Sequence, residues 1–107
     1  MKIANLISAP KSQSVGLIDE SAKNFSFSIF PNPTNGFVTI DYTLYVDAPI
    51  SIELYNMFGQ RVKLIAQQNQ KSGTYSVQTS VGDLGPGTYI VKVTCGSQVE
   101  SKQVVIN

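Results

Sequence analysis

Phe30-Pro31-Asn32-Pro33-Thr34-Asn35-Gly36 is the stretch that divides the chain into what precedes a sheet and what builds one. Its two prolines hold φ near about −65° and offer no backbone donor, so neither belongs inside a ladder. Asn35-Gly36 then tolerates the positive φ of a tight turn. Beyond it Phe37 to Leu44 alternates, with Val38, Ile40, Tyr42 and Leu44 on one face and Thr39, Asp41 and Thr43 on the other. Upstream, Phe25-Ser26-Phe27-Ser28-Ile29-Phe30 has the same period, with Phe25, Phe27 and Ile29 inward. The stretch ends one strand and starts the next. It holds no nucleophile paired with a base and no ligand cluster, so by itself it is a turn.

Downstream, the period of two continues. Asp47-Ala48-Pro49 reads as a turn, and Ile50, Ile52 and Leu54 make the next inward row. Asn56-Met57-Phe58-Gly59 joins this run to Gln60–Ala66 as a hairpin, with Gly59 at positive φ and Val62, Leu64 and Ala66 inward. Gln67 to Ser72 reads as a polar loop, followed by a strand from Gly73 with Tyr75 and Val77 inward. Pro86-Gly87 suits the centre of a type II turn, after which Tyr89, Val91, Val93 and Cys95 share a face. Gly96-Ser97 turns the chain into Gln98–Asn107, which ends on Val104-Val105-Ile106. Seven short strands without a helical segment predict an all-β, immunoglobulin-like Greek-key β-sandwich.

Residues 1–24 lack both periods and read as a flexible N-terminal linker, with residues 25–107 as the folded domain. Met1 to Ile7 carries one lysine, but Asn5 breaks its apolar run and Pro10 follows too soon for a signal peptide. A protein starting here is expected either to stay inside the cell or to be a piece cut from a longer secreted chain. No run approaches the ~20 apolar residues of a membrane span. Over 107 residues, eight basic and seven acidic side chains give a net charge of +1. The basic ones are scattered, which argues against nucleic acid and anionic membranes as partners.

Histidine is absent, which removes the commonest general base and a favoured zinc ligand together. The lone Cys95 falls on the apolar face with Val91 and Val93 and reads as a small buried hydrophobe rather than a nucleophile. Asp41 and Glu53 fall on outward faces of two strands and could approach one another in space, but they read as solvated surface, because nothing supplies the apolar pocket that would split their pKa values. Asp47 and Asp83 lie outside any dense acidic loop of the calcium-binding kind. Alternation turns Tyr42, Tyr75 and Tyr89 inward and leaves Tyr45 and Tyr55 exposed. The residues thus point to a domain that is not an enzyme and that takes no cofactor and no metal.

Taken in order, Phe30-Pro31-Asn32-Pro33 with Gly36, then Ile52-Glu53-Leu54-Tyr55-Asn56 with Gly59-Gln60-Arg61-Val62, then Leu84 with Gly87-Thr88-Tyr89-Ile90-Val91-Lys92-Val93, and finally Val104-Val105-Ile106, resemble the C-terminal sorting domain of the type IX secretion system. The family-like positions are Pro31, Asn32, Pro33, Gly36, Gly59, Leu84, Gly87 and Tyr89, with Val104, Val105 and Ile106 as the candidate recognition strand. The resemblance implies a non-catalytic address label in a Gram-negative bacterium, passing through the periplasm to the cell surface or the medium. It implies as partners the outer-membrane translocon, its shuttle protein and a sortase-like cysteine protease that removes the domain and attaches the passenger to the surface. Cleavage is expected between Lys11 and Asn24, where the chain can be extended. The terminal strand is expected to be read by β-pairing, and a deletion of Val104–Asn107 to abolish export while sparing most of the fold. Exposed edges also leave self-association through an edge strand open. The alternative reading is an immunoglobulin-like adhesion or carbohydrate-binding module, using Tyr45, Tyr55 and the loops around Asp47 and Asp83.

Overall fold

The computed structural model describes residues 23–107, so the linker 1–24 and its expected cleavage region lie outside the described residues apart from Lys23 and Asn24. Seven strands follow: β1 (Phe25–Phe30), β2 (Phe37–Leu44), β3 (Ala48–Tyr55), β4 (Arg61–Gln70), β5 (Gly73–Ser80), β6 (Gly87–Cys95) and β7 (Gln98–Ile106). They form a three-stranded antiparallel sheet in the order β1-β2-β5 and a four-stranded antiparallel sheet in the order β4-β3-β6-β7. The non-consecutive neighbours β2–β5 and β3–β6 are the crossovers of a Greek key. The expected all-β sandwich is the observed one.

Alternation decides the core. Val38, Ile40, Tyr42 and Leu44 of β2 face Ile50, Ile52 and Leu54 of β3 and Val91, Val93 and Cys95 of β6, with Phe25, Phe27, Val81, Val104 and Ile106 completing one buried cluster. Fully burying an aliphatic or Phe side chain contributes about 1.5–3 kcal/mol, so this two-layer cluster holds the sheets face to face. Tyr42 enters it ring first, stacks on Tyr75 with centroids 5.4 Å apart, and keeps its hydroxyl on Gln70 Oε1 at 2.7 Å.

Four local expectations are corrected. Gln67 to Gln70 is strand and not loop, because an edge strand satisfies its backbone against β3 (Gln67 to Ser51, Asn69 to Pro49) whatever its side chains are. Ala48 and Pro49 likewise open β3 instead of forming a turn. Leu64 is 43% exposed and Ile65 packs on the core in its place. The cause is a register shift, since Ile52 pairs with Ala66 while Glu53 pairs with Leu64, leaving Ile65 as the extra residue of a bulge. Gly87 does take positive φ, but at +152° and not at the roughly +80° of a type II corner.

Both lateral seams of the sandwich are closed by a lysine. Lys102 of β7 donates to the Phe27 carbonyl of β1 at 2.8 Å, its ammonium lying 4.9 Å from the Phe27 ring centroid. On the other side Lys63 of β4 donates to the Ser80 carbonyl of β5 at 2.8 Å.

Candidate functional site

Register places the family-like residues together. Phe30 pairs with Thr39, Phe37 with Ser80, Tyr55 with Ile90, and Gly87 with Ile106. The ends of β1, β3, β5 and β7 and the starts of β2, β4 and β6 therefore share one pole of the sandwich. Pro31, Asn32, Pro33, Gly36, Gly59, Leu84, Gly87, Tyr89 and the terminal Val104, Val105 and Ile106 all lie at or next to it. Lys23 and Asn24, where the described chain begins, lie at the opposite pole: the Asn24 amide donates to Gln98 Oε1 at 2.7 Å and Lys23 pairs with Glu100.

At the family-like pole, residues 32–34 are stitched to the outer edge of β7. The Asn32 side chain acts as a peptide group, donating from Nδ2 to Gln103 O (3.1 Å) and accepting at Oδ1 from Val105 N (2.9 Å). Thr34 N donates to Val105 O at 2.9 Å and Asn107 N donates to Thr34 O at 2.8 Å, a parallel bridge. Thr34 is the only buried polar residue among the described residues, 3% exposed. Its hydroxyl donates to Phe37 O and accepts from Gly36 N, closing the turn into β2. This corrects the expectation that positive φ at Gly36 makes that turn, for the positive-φ glycines are Gly59, Gly73, Gly87 and Gly96. The peptide bonds preceding Pro31 and Pro33 are cis.

The same end continues through the β5–β6 corner. Gly36 O accepts from the amide of the buried Val81, Leu84 N donates to Val81 O at 3.1 Å, and Leu84 packs on the core. Tyr89 then donates its hydroxyl to Gly85 O at 2.7 Å, four residues back. Tyr75 does the same to Lys71 O at 2.6 Å, and each tyrosine follows a Gly-Thr whose glycine has φ near +150° (Gly73 +151°, Gly87 +152°). The repeated Gly-Thr-Tyr is a signal in the sequence that marks two matching corners. Tyr89→Phe and Tyr75→Phe are each expected to cost about 1 kcal/mol with cooperative melting retained. Denaturant titration reads this, and unchanged midpoints would mean that the two hydroxyls hold nothing.

Gly59 (φ +82°) closes the β3–β4 turn, where Asn56 Oδ1 accepts from the amides of Phe58 and Gln60, both at 3.0 Å. That turn lifts Met57 and Phe58 into solvent, Phe58 89% exposed, beside an open cleft of about 380 Å³ lined by Tyr55, Ile90 and Lys92. Phe30 and Phe37 are also exposed at this pole. Four large apolar side chains are thus exposed at this pole.

The remaining candidates are dispersed. Asp41 belongs to the three-stranded sheet and Glu53 to the four-stranded one, so their outward side chains occupy opposite faces and do not form the pair considered from sequence. Glu53 instead pairs with Arg61 at 3.1 Å. Tyr55 is half-buried, with the Lys92 ammonium 5.4 Å from its ring centroid, which corrects its expected exposure. Tyr45 is exposed, near the opposite pole. Asp47 Oδ1 accepts from Ser72 N at 2.8 Å and serves a turn. Among the described residues no three His, Cys, Asp or Glu side chains gather as metal ligands, and no helix is long and apolar enough to cross a membrane. Cys95 is fully buried opposite Ile50, and burial pushes its thiol pKa up. Val104 and Ile106 are buried and Val105 is partly exposed, so the last strand is as much core as edge.

A family model described as the secretion system C-terminal sorting domain matches residues 28–107. No curated protein matches the chain.

Proposed function

The chain belongs to the type IX secretion system C-terminal sorting domain family, and from that premise we propose that the export machinery reads the pole where Pro31–Gly36 meets the end of β7. Membership itself makes the domain a sorting signal, of a family that is not catalytic, for export to the cell surface or the medium. The observation that supports the pole as the surface read is the gathering there of family-like residues from four separate stretches, with Phe30, Phe37, Met57 and Phe58 exposed at the same end. Large apolar side chains exposed together at one end of a domain are what an interaction surface offers. Lys23 stands at the far pole, so a passenger joined through the linker leaves this surface free.

In this proposal the outer-membrane translocon and its shuttle protein engage the motif pole. A sortase-like cysteine protease then cuts within residues 11–24 and attaches the passenger to the surface. Cleavage upstream of Lys23 fits because Asn24 is already bonded to β7, whereas a protease needs an extended, unpaired chain.

The test is to fuse residues 1–107 behind a periplasm-directed fluorescent reporter in a bacterium with a working type IX system. Surface or medium fluorescence that disappears in a translocon mutant is the expected result. Reporter held in the periplasm with the domain folded would overturn the proposal.

A further inference from the structure

We propose that residues 32–34 are a removable cover over the outer edge of β7, and that the edge beneath docks one extended segment of the export machinery, parallel to β7. This rests on the reading of the motif pole given above. Gln103 O, Val105 N, Val105 O and Asn107 N are occupied by the Asn32 side chain and the Thr34 backbone. These groups point away from β6. Alternation then puts the backbone groups of Val99 and Ser101 on the same edge, upstream of the cover.

The cover has the form of a strand without being one. Asn32 contributes a side-chain amide where a strand would contribute a peptide group, and only Thr34 pairs through its backbone, in the parallel sense. Pro31 and Pro33 have no N–H, so the covering segment cannot template a further strand on its own outer side. The edge is therefore sealed by something that propagates nothing. An incoming parallel strand would replace the four bonds at Gln103–Asn107 and gain ladder bonds at Val99 and Ser101, which the cover does not reach. At about 3.3 Å per residue, Val99 to Asn107 is long enough for such pairing. The occupant is a polypeptide, since what the cover imitates is a peptide backbone.

Three variants of the full chain test this in the reporter fusion, with the isolated protein followed by hydrogen exchange and circular dichroism. Asn32→Ala lifts the cover: the Val105 amide is expected to exchange at least about tenfold faster, with the isolated protein still folded by circular dichroism. Val105→Pro removes the same cover bond together with the docking donor. Ser101→Pro removes a docking donor while leaving the cover intact. Both prolines fall at edge positions whose N–H points away from the sheet, where proline is tolerated, and both are expected to cut export more than about tenfold with the fold retained. Should Val105→Pro fail to fold, Ser101→Pro decides.

Unchanged Val105 exchange in Asn32→Ala shows that there is no cover. Normal export of Ser101→Pro shows that the edge is not the docking site. A dimer of Asn32→Ala that Ser101→Pro abolishes assigns the edge to a second copy. Each of these overturns the proposal. A wild-type fusion that stays in the periplasm overturns the proposed function instead, and the exchange result still stands or falls alone.

Discussion

A chain ending at Gln103 is expected to lose its cooperative melt altogether. Val104 and Ile106 are 0% and 3% exposed, and removing them takes two side chains from the core. Truncating one buried aliphatic residue to alanine costs about 2–5 kcal/mol when a cavity is left. Thr34, itself buried, would lose partners for both its N–H and its carbonyl, at about 1–3 kcal/mol for each group left unsatisfied. Domains of this size carry only about 0.05–0.15 kcal/mol per residue, so the losses rival the whole stability. Near-ultraviolet circular dichroism and a thermal melt of the truncated protein read the result. A cooperative transition close to that of the full chain would show that β7 is an appendage and not part of the core. The sequence-based expectation that this deletion spares most of the fold is thereby reversed, and loss of export in such a truncation reports unfolding before it reports recognition.

Cys95 offers the second large effect. Its side chain is wholly buried between the sheets, so a disulfide reagent reaches it only when the domain opens. Given the usual stability per residue, labelling of the native protein is expected to be at least ~10³-fold slower than in denaturant. A ratio within tenfold would mean that the β6 end breathes locally. Burial also raises the thiol pKa above its ordinary 9.0. With the folded value the higher, the native state holds its proton where the unfolded state has begun to release it. The contribution to stability is complete below the ordinary pKa and is lost as pH rises through the folded one. Tyr42 acts in the same direction from its ordinary 10.0, raised chiefly by burial, partly lowered by its bond to Gln70 and raised again by Tyr75. Stability is therefore expected to fall on the alkaline side, beginning near pH 9, and Cys95→Ala should remove the first part of the decline.

Most of the sandwich was legible because burial on one face of a strand writes itself as a period of two. The inward rows of β1, β2, β3 and β6 could be read residue by residue. Where a strand lies at an edge, the demand weakens. β4 runs to Gln70 through four polar residues, and its bulge turns Ile65 inward in place of Leu64, because pairing on one side needs backbone and little else. The pole was legible only in pieces. The turns at Gly59 and Gly87 announce themselves, but Asn32 and Thr34 act through long-range bonds to residues some seventy positions away. No local pattern distinguishes an asparagine that imitates a peptide from one that merely turns the chain. The same holds for Thr34, whose burial depends on the strand that arrives last.

The seam between β1 and β7 has a mechanical consequence. Asn24 meets Gln98, Phe27 meets Lys102, Asn32 meets Gln103 and Val105, and Thr34 meets Val105 and Asn107. Along this seam the first and last described segments run in the same direction, with residue 23 at one pole and residue 107 at the other. A pull on the passenger against a grip on the C-terminus draws the two segments lengthwise past each other. Every rung then bears the load at once, as in a lap joint, and none can be peeled off singly from an end. The sorting domain is thus strongest along the line on which a translocating cargo would haul.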